Sequence, residues 1–148
     1  MRVLVQRSGK AQVKVDGKIV GSIDNGLMLL VGFTHGDDLE KVKHLAKKCV
    51  NLRIFPDEDD VMNKSLLDFG GDILSVSQFT LYADSKKGNR PSYVDALKND
   101  EAVPLYDAFN EELRNLGMKV ETGIFGADMK VEILNDGPTT IIIDTEVK

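Results

Sequence analysis

Hydrophobic and polar positions alternate from the start of the chain. Val3 and Val5 fall on one face of Arg2–Arg7, and Ala11, Val13 and Val15 on one face of Ala11–Val15, so two short strands are predicted. Asp16-Gly17 follows. Both central positions of a type I′ turn take positive φ, which this pair suits, so Lys18–Ile23 is read as the return strand of a hairpin. Asn25-Gly26 is a second hairpin signal. Leu27–Phe33 is almost continuously apolar, the pattern of a strand buried on both faces. The period then changes. Over Asp37–Val50, Leu39, Val42, Leu45, Ala46 and Cys49 recur at helical spacing with lysines opposite, and Asp37 or Asp38 can cap the start. Arg53–Phe55 reads as a short strand stopped by Pro56. Ile73-Leu74-Ser75-Val76 opens a central strand whose continuation to Leu81 turns polar. A second long helix is predicted over Ala102–Leu116, with Leu105, Tyr106, Phe109, Leu113 and Leu116 on one face and Gly117 as its C′ residue. Lys119–Glu121, Lys130–Leu134 and Thr139–Val147 complete the strands, the last two joined by Asn135-Asp136-Gly137-Pro138.

Early hairpins and two later helices predict an α/β chain, a mixed sheet system with helices on one side, organised as a single domain over residues 1–148. A hydrophobic content of 42% supports a core, and 29% charged residues argue against disorder. The net charge of −5 weighs against broad electrostatic binding to a nucleic-acid backbone but leaves room for recognition of one small part of an RNA. The single cysteine, Cys49, forms no internal disulfide and excludes a Cys-rich zinc site. The apolar runs Leu27–Val31 and Ile141–Ile143 are far too short to span a bilayer, so a cytoplasmic location is expected. Asp57–Asp60 is not a calcium loop, because Met62 stands where glycine is needed and Asp68 where glutamate is needed.

Candidate chemistry collects where the central strand ends. Ser77, Gln78 and Thr80 surround Phe79, and the polar loop Ala83–Pro91 follows; a strand fixes such side chains while a loop admits substrate. The plainer reading is that these groups satisfy buried backbone at a strand end. Lys86-Lys87-Gly88-Asn89-Arg90-Pro91-Ser92 is either an exposed connector or a phosphate-contacting loop. Thr122–Met129 carries glycines without the spacing of a dinucleotide or P-loop motif, and these glycines suit close approach of a ligand or a neighbouring chain.

Two stretches taken together, Ser77-Gln78-Phe79-Thr80-Leu81 and Asn135-Asp136-Gly137-Pro138-Thr139-Thr140, resemble the paired signatures of D-aminoacyl-tRNA deacylases of the bacterial and eukaryotic type. Val5-Gln6-Arg7, Arg53-Ile54-Phe55, Arg90-Pro91-Ser92 and Thr122–Met129 follow the order of that family, so the resemblance covers nearly the whole chain. It implies a three-layer β/β/α fold and an esterase that releases a mischarged D-amino acid from the terminal adenosine of tRNA. It also implies a homodimer with sites at the subunit interface, where the Gly137-Pro138 pair of one subunit, joined by a cis bond, enters the pocket of the other. On this resemblance the catalytic residues are Ser77, Gln78, Phe79 and Thr80. Gly137, Pro138, Phe125, Met129 and Arg7 bind substrate, with Arg7 holding the Gly137-Pro138 turn. The partner is the aminoacylated 3′ end of tRNA, and neither metal nor cofactor is expected.

The chemistry of these residues agrees. An aminoacyl ester is already activated, so hydrolysis needs positioning and oxyanion stabilisation more than a strong nucleophile, and backbone N–H groups near Phe79 and Thr80 can supply that stabilisation. Thr80 is the natural candidate nucleophile of the motif. The only histidines are His35 and His44, and neither is near it in sequence; an approach of His35 in space stays open. The alternative is that the ribose hydroxyl of the tRNA assists attack by water. Rigid carbonyls of Gly137 and Pro138 around the α-amino group would leave no room for an L side chain, which predicts rejection of L esters by steric exclusion and some hydrolysis of glycyl-tRNA. Two rival readings are a non-catalytic dimeric module that binds tRNA ends and a hydrolase of another small ester using Thr80.

Overall fold

The computed structural model describes residues 1–146. Its first feature is longer than the hydrophobic pattern predicts. Arg2–Val15 forms one strand, β1, rather than two. Asp16 and Gly17 take φ of 50° and 77° at the turn, as expected, and lead into β2, Lys18–Ile23. β3, Gly26–Gly32, then pairs with β1 rather than with β2. Ala11 faces Ile23 and Ser8 faces Gly26, so β2 and β3 lie end to end along one edge of β1 as a single long hairpin. Asn25-Gly26 is therefore a bend, not a hairpin turn. Gly26 has φ of +134°, and a Cβ there would lie 1.9 Å from the Asp72 carbonyl oxygen, so only glycine lets the chain pass this close to the next strand.

β4, Phe55–Pro56, and β5, Met62–Lys64, form a small separate ribbon; Arg53 and Ile54 precede it and are not in the strand. Asp57 closes the acidic turn between them by accepting N–H bonds from Asp59 and Val61. β6, Asp72–Ser77, is parallel to β3, and β7, Val120–Thr122, is parallel to β6. β8, Lys130–Asp144, runs antiparallel along the other edge of β1. It joins the two closing strands expected from the pattern; the expected continuation to Val147 lies outside the described residues.

Side chains alternate across β3 and β6, and each face has its own core. Leu27, Leu29, Val31 and Ile73 pack with Val3 and Val5 against α1, Leu39–Asn51, and α3, Asn99–Asn115. Met28, Leu74 and Val76 on the other face pack against Ala11, Val13 and Ile23, with Val131 and Ile133 at the margin. The long hairpin folds over to make that second layer, which gives the expected β/β/α stack. Asp38 caps α1 through the Lys41 N–H, whereas Asp37 turns back to accept the Thr34 N–H at 2.7 Å. Leu39, placed by its spacing on the buried face, is 56% exposed because it opens the first turn, before α1 reaches the sheet. α2, Leu66–Phe69, is a single short turn. α3 begins three residues before the pattern suggests, and Gly117 ends it with φ of +95°.

Candidate active site

β3, β6 and β7 are parallel, so their carboxyl ends open on the same edge of the sheet, and α3, connecting β6 to β7, begins at that edge. Clefts at the carboxyl ends of parallel strands are where such sheets place ligands. A cavity of about 190 Å³ lies there. β3 contributes Gly32 and, just beyond it, Phe33; the end of β6 contributes Ser77, Gln78 and Phe79. Asn99 and Ala102 come from the start of α3, and Phe125, Ala127 and Met129 from the loop after β7.

The Gln78 N–H makes the last ladder bond, to the Val31 carbonyl at 2.8 Å. The chain then tightens into a 3₁₀ turn, Phe79–Tyr82, with Leu81 N–H donating to Gln78 and Ala83 N–H to Thr80. As the first two residues of that turn, Phe79 and Thr80 have N–H groups without a carbonyl to meet inside it. The Gln78 amide does not cap the turn; it donates to the Thr80 hydroxyl.

Three side chains hold this corner. Arg2 donates through Nη1 to the Leu81 carbonyl at 2.6 Å, stacks over the Tyr82 ring at 4.6 Å, and pairs through Nε with Asp144 at 2.7 Å. Tyr106 donates its hydroxyl to the Ser75 carbonyl at 2.8 Å and tilts its ring against Phe125 at 5.7 Å. Burial pushes the Tyr106 hydroxyl above the usual tyrosine range, so it stays a donor. Tyr93 meets Phe79 edge-on at 5.1 Å. Among the described residues no Asp, Glu, Lys, Arg, His, Cys or Tyr lines the cavity. His35 bonds the Val94 carbonyl through Nε2, and His44 is exposed on α1.

The second signature is a bulge in β8. Gln6 faces Thr140 and Ser8 faces Asn135, so Asp136, Gly137, Pro138 and Thr139 project out of the ladder. The Gly137–Pro138 bond is cis. Arg7 holds the bulge from below, donating Nε to the Asp136 carbonyl at 3.2 Å and Nη1 to the Ile54 carbonyl at 2.7 Å. Asn135 closes it, accepting the Thr139 N–H and donating to the Thr140 hydroxyl. Gly137 has φ of +123°, and a Cβ there would lie 2.6 Å from the Thr139 hydroxyl and 3.1 Å from Arg7 Nη2. Gly137 and Pro138 themselves are exposed.

Of the nine site residues read from sequence, Ser77, Gln78, Phe79, Phe125 and Met129 line one cavity. Thr80 sits one step along the 3₁₀ turn, outside that lining. Arg7, Gly137 and Pro138 form a separate cluster on the surface. Sequence reasoning misses Phe33, Leu97 and Asn99 as lining residues and Arg2 as the anchor of the turn. Knowing that β3 and β6 are parallel would point to Phe33 and Asn99; Arg2 carries no local signal.

The chain is a hydrolase of mixed β/β/α fold. Residues 4–144 match the family described as D-Tyr-tRNA(Tyr) deacylase, and the chain belongs to that family. It is 57% identical over 148 residues to a D-aminoacyl-tRNA deacylase of Geobacillus sp. (strain WCH70) and 54% identical over 148 residues to one of Thermus aquaticus, covering 100% of this chain and 97% of each relative. It superposes on a solved structure of a c-Myc DNA Unwinding Element Binding Protein with a TM-score of 0.93 and 37% identity, covering 99% of this chain and 100% of that one. A probable eukaryotic D-amino acid tRNA deacylase superposes with a TM-score of 0.83 and 21% identity over 96% of this chain and 97% of its own, a likeness of fold alone. No helix among the described residues is long and apolar enough to cross a membrane.

Proposed function

We propose that this protein hydrolyses the ester of D-aminoacyl-tRNA in the cytoplasm, releasing the free amino acid and tRNA. The observation that carries the reading is the Ser77-Gln78-Phe79 corner opening into a largely apolar cleft, in a chain more than half identical to named deacylases. The terminal adenosine enters between Phe125 and Met129, where an aromatic face and a thioether suit a nucleobase. The ester carbonyl then lies at the 3₁₀ turn. Water adds to the carbonyl carbon, and the developing oxyanion accepts the Phe79 and Thr80 N–H groups. The bond to the ribose oxygen breaks, and that oxygen leaves with a proton. With no titrating side chain in the cavity lining, the neighbouring ribose hydroxyl is the group that relays the proton. Thr80, held by Gln78, donates its hydroxyl to the substrate rather than attacking it. Neither metal nor cofactor has a role.

Selection against L esters comes from Gly137 and Pro138, whose backbone carbonyls enclose the α-amino group and leave no volume on the L side. Glycine has no side chain to exclude, so glycyl-tRNA is also cleaved. The Gly137-Pro138 cluster does not line its own chain's cavity, and Phe79, Leu134 and Ile142 are 53%, 65% and 63% exposed. Both features fit a homodimer in which the bulge of one single-domain subunit completes the pocket of its partner. The test is deacylation of D-tyrosyl-, L-tyrosyl- and glycyl-tRNA by the pure protein without added metal. Fast loss of the D ester, slower loss of the glycyl ester and an intact L ester are expected. Equal cleavage of D and L esters would remove the role given to Gly137 and Pro138, and no cleavage of any would leave a module that binds tRNA ends.

A further inference from the structure

The segment after the 3₁₀ turn is basic and lies beside the cavity. The chain carries a net charge of −5, yet residues 83–98 hold four cations, Lys86, Lys87, Arg90 and Lys98, against two acids, Asp84 and Asp95. Every residue from Ser85 to Asp95 is exposed. The segment nevertheless has a defined shape. Asp84 and Ser92 exchange both backbone hydrogen bonds at 2.8 Å, which closes the loop at its base. The Asp84 carboxylate accepts the Lys86 N–H at 2.9 Å, so the nearer of the two acids is occupied by backbone. Lys86, Lys87 and Arg90 form no ion pair among the described residues; Lys43, Lys47 and Lys48 are likewise unpaired but lie on α1, which does not line the cavity. The loop is also tied to the cavity. Phe79 lines the cavity, and Tyr93, just past the loop, packs edge-on against it.

Resting on the reading of tRNA as substrate, we infer that residues 84–92 form an RNA-backbone site in which Lys86, Lys87 and Arg90 bind phosphates of the unpaired 3′ strand next to the reacting adenosine. The chemistry of the loop suits that ligand. Lysine and arginine pair with phosphate oxygens irrespective of base, as an enzyme acting on many tRNAs requires. Positive charge placed beside the cavity of a protein with a net charge of −5 aims the strand at that cavity. This site adds affinity and leaves the chemical step to the cavity.

The test compares wild type with the triple variant Lys86→Ala, Lys87→Ala, Arg90→Ala on D-tyrosyl-tRNA and on D-tyrosyl-adenosine, which has the ester but no strand. Fluorescence anisotropy with uncharged tRNA reads the loop without turnover. For the variant, KM for the tRNA should rise on the order of 10- to 100-fold at 0.1 M salt. The salt slope of log(kcat/KM) should fall by about 2, close to 0.7 for each single-strand phosphate that the variant no longer neutralises. Turnover of D-tyrosyl-adenosine should be unchanged. Lys86→Arg, Lys87→Arg, Arg90→Lys should restore wild-type values. An unchanged salt slope and tRNA affinity would overturn the site, as would an equal loss on both substrates, which would make the loop a structural element. If wild type cleaves neither ester, the deacylase reading fails by itself, and the anisotropy comparison still decides the loop.

Discussion

Thr80 has a hydroxyl fit for nucleophilic attack but no base to activate it. The Gln78 amide donates to it, His35 is engaged at the Val94 carbonyl, and the cavity lining holds no ionisable side chain among the described residues. Removing a true nucleophile costs about 10⁶ in kcat. Thr80→Ala should therefore lower kcat by about 100- to 1,000-fold at most, the scale of losing one hydrogen bond to the transition state, as single-turnover deacylation would show. A loss near that for a nucleophile would return Thr80 to the attacking role. Arg2 works at one remove, joining β1, β8 and the 3₁₀ turn through Asp144. Burial alone would raise the Asp144 carboxyl, but the Glu146 N–H and the Arg2 guanidinium outweigh it and hold the group below the usual carboxylate range. A depressed folded-state value contributes stability above the unfolded value and loses it as pH falls through the folded value. Asp144→Asn should thus cost about 1–3 kcal/mol at pH 7. The difference from wild type should shrink as pH falls below the ordinary carboxylate range and the wild-type carboxyl becomes protonated. Urea titrations across that range would show it.

Elements differ in how plainly the sequence announces them. α1 is legible because one face is periodic and Asp38 is a good cap; its buried face includes Cys49, whose thiol burial pushes up to about 12. Cys49 should resist thiol reagents in the native protein at pH 8 and react only as the chain unfolds, with labelling tracking the unfolded fraction. The corner at Ser77–Thr80 is legible too, since polar residues abruptly end an apolar run. What stays hidden depends on partners distant in sequence. Ser8-Gly9-Lys10 looks like a break between strands, yet β3 and β8 supply ladder bonds on either side and carry the strand through. Asn25-Gly26 has hairpin chemistry, but its conformation answers to β6 rather than to a turn. The bulge of β8 is visible as Asn-Asp-Gly-Pro, though not as an interruption of one strand. Its geometry leaves no room at Gly137. Gly137→Ala should destabilise the fold by about 1–3 kcal/mol, a cost typical of strained backbone. It should also reduce the preference for D over L esters, which paired deacylation assays would measure.

At the scale of the whole molecule the two signatures lie apart. One lines a cavity at the carboxyl ends of β3, β6 and β7; the other projects from β8 and rests on Arg7. If a single chain made a complete site, the bulge would have to reach its own cavity, and nothing in the lining includes it. The proposed two-fold dimer would resolve the geometry by exchanging bulges, and that arrangement makes a quantitative forecast. Take one variant damaged only in the cavity, Phe79→Ala with Gln78→Ala, and another damaged only in the bulge, Gly137→Ala with Pro138→Ala, and read D-selective activity, the excess of D-ester over L-ester cleavage, which the first lacks for want of turnover and the second for want of discrimination. In a mixed dimer, one site receives the damaged cavity and the damaged bulge together, while the other receives the intact cavity of one chain and the intact bulge of the other. Random re-pairing makes about half of the dimers mixed, each with one working site in two. Co-refolding equal amounts should thus restore about a quarter of wild-type D-selective activity, by the symmetry of exchanged elements. Activity that stays at the level of the separate variants would mean that each subunit completes its own site, and the account of Gly137 and Pro138 as a partner's contribution would have to be given up.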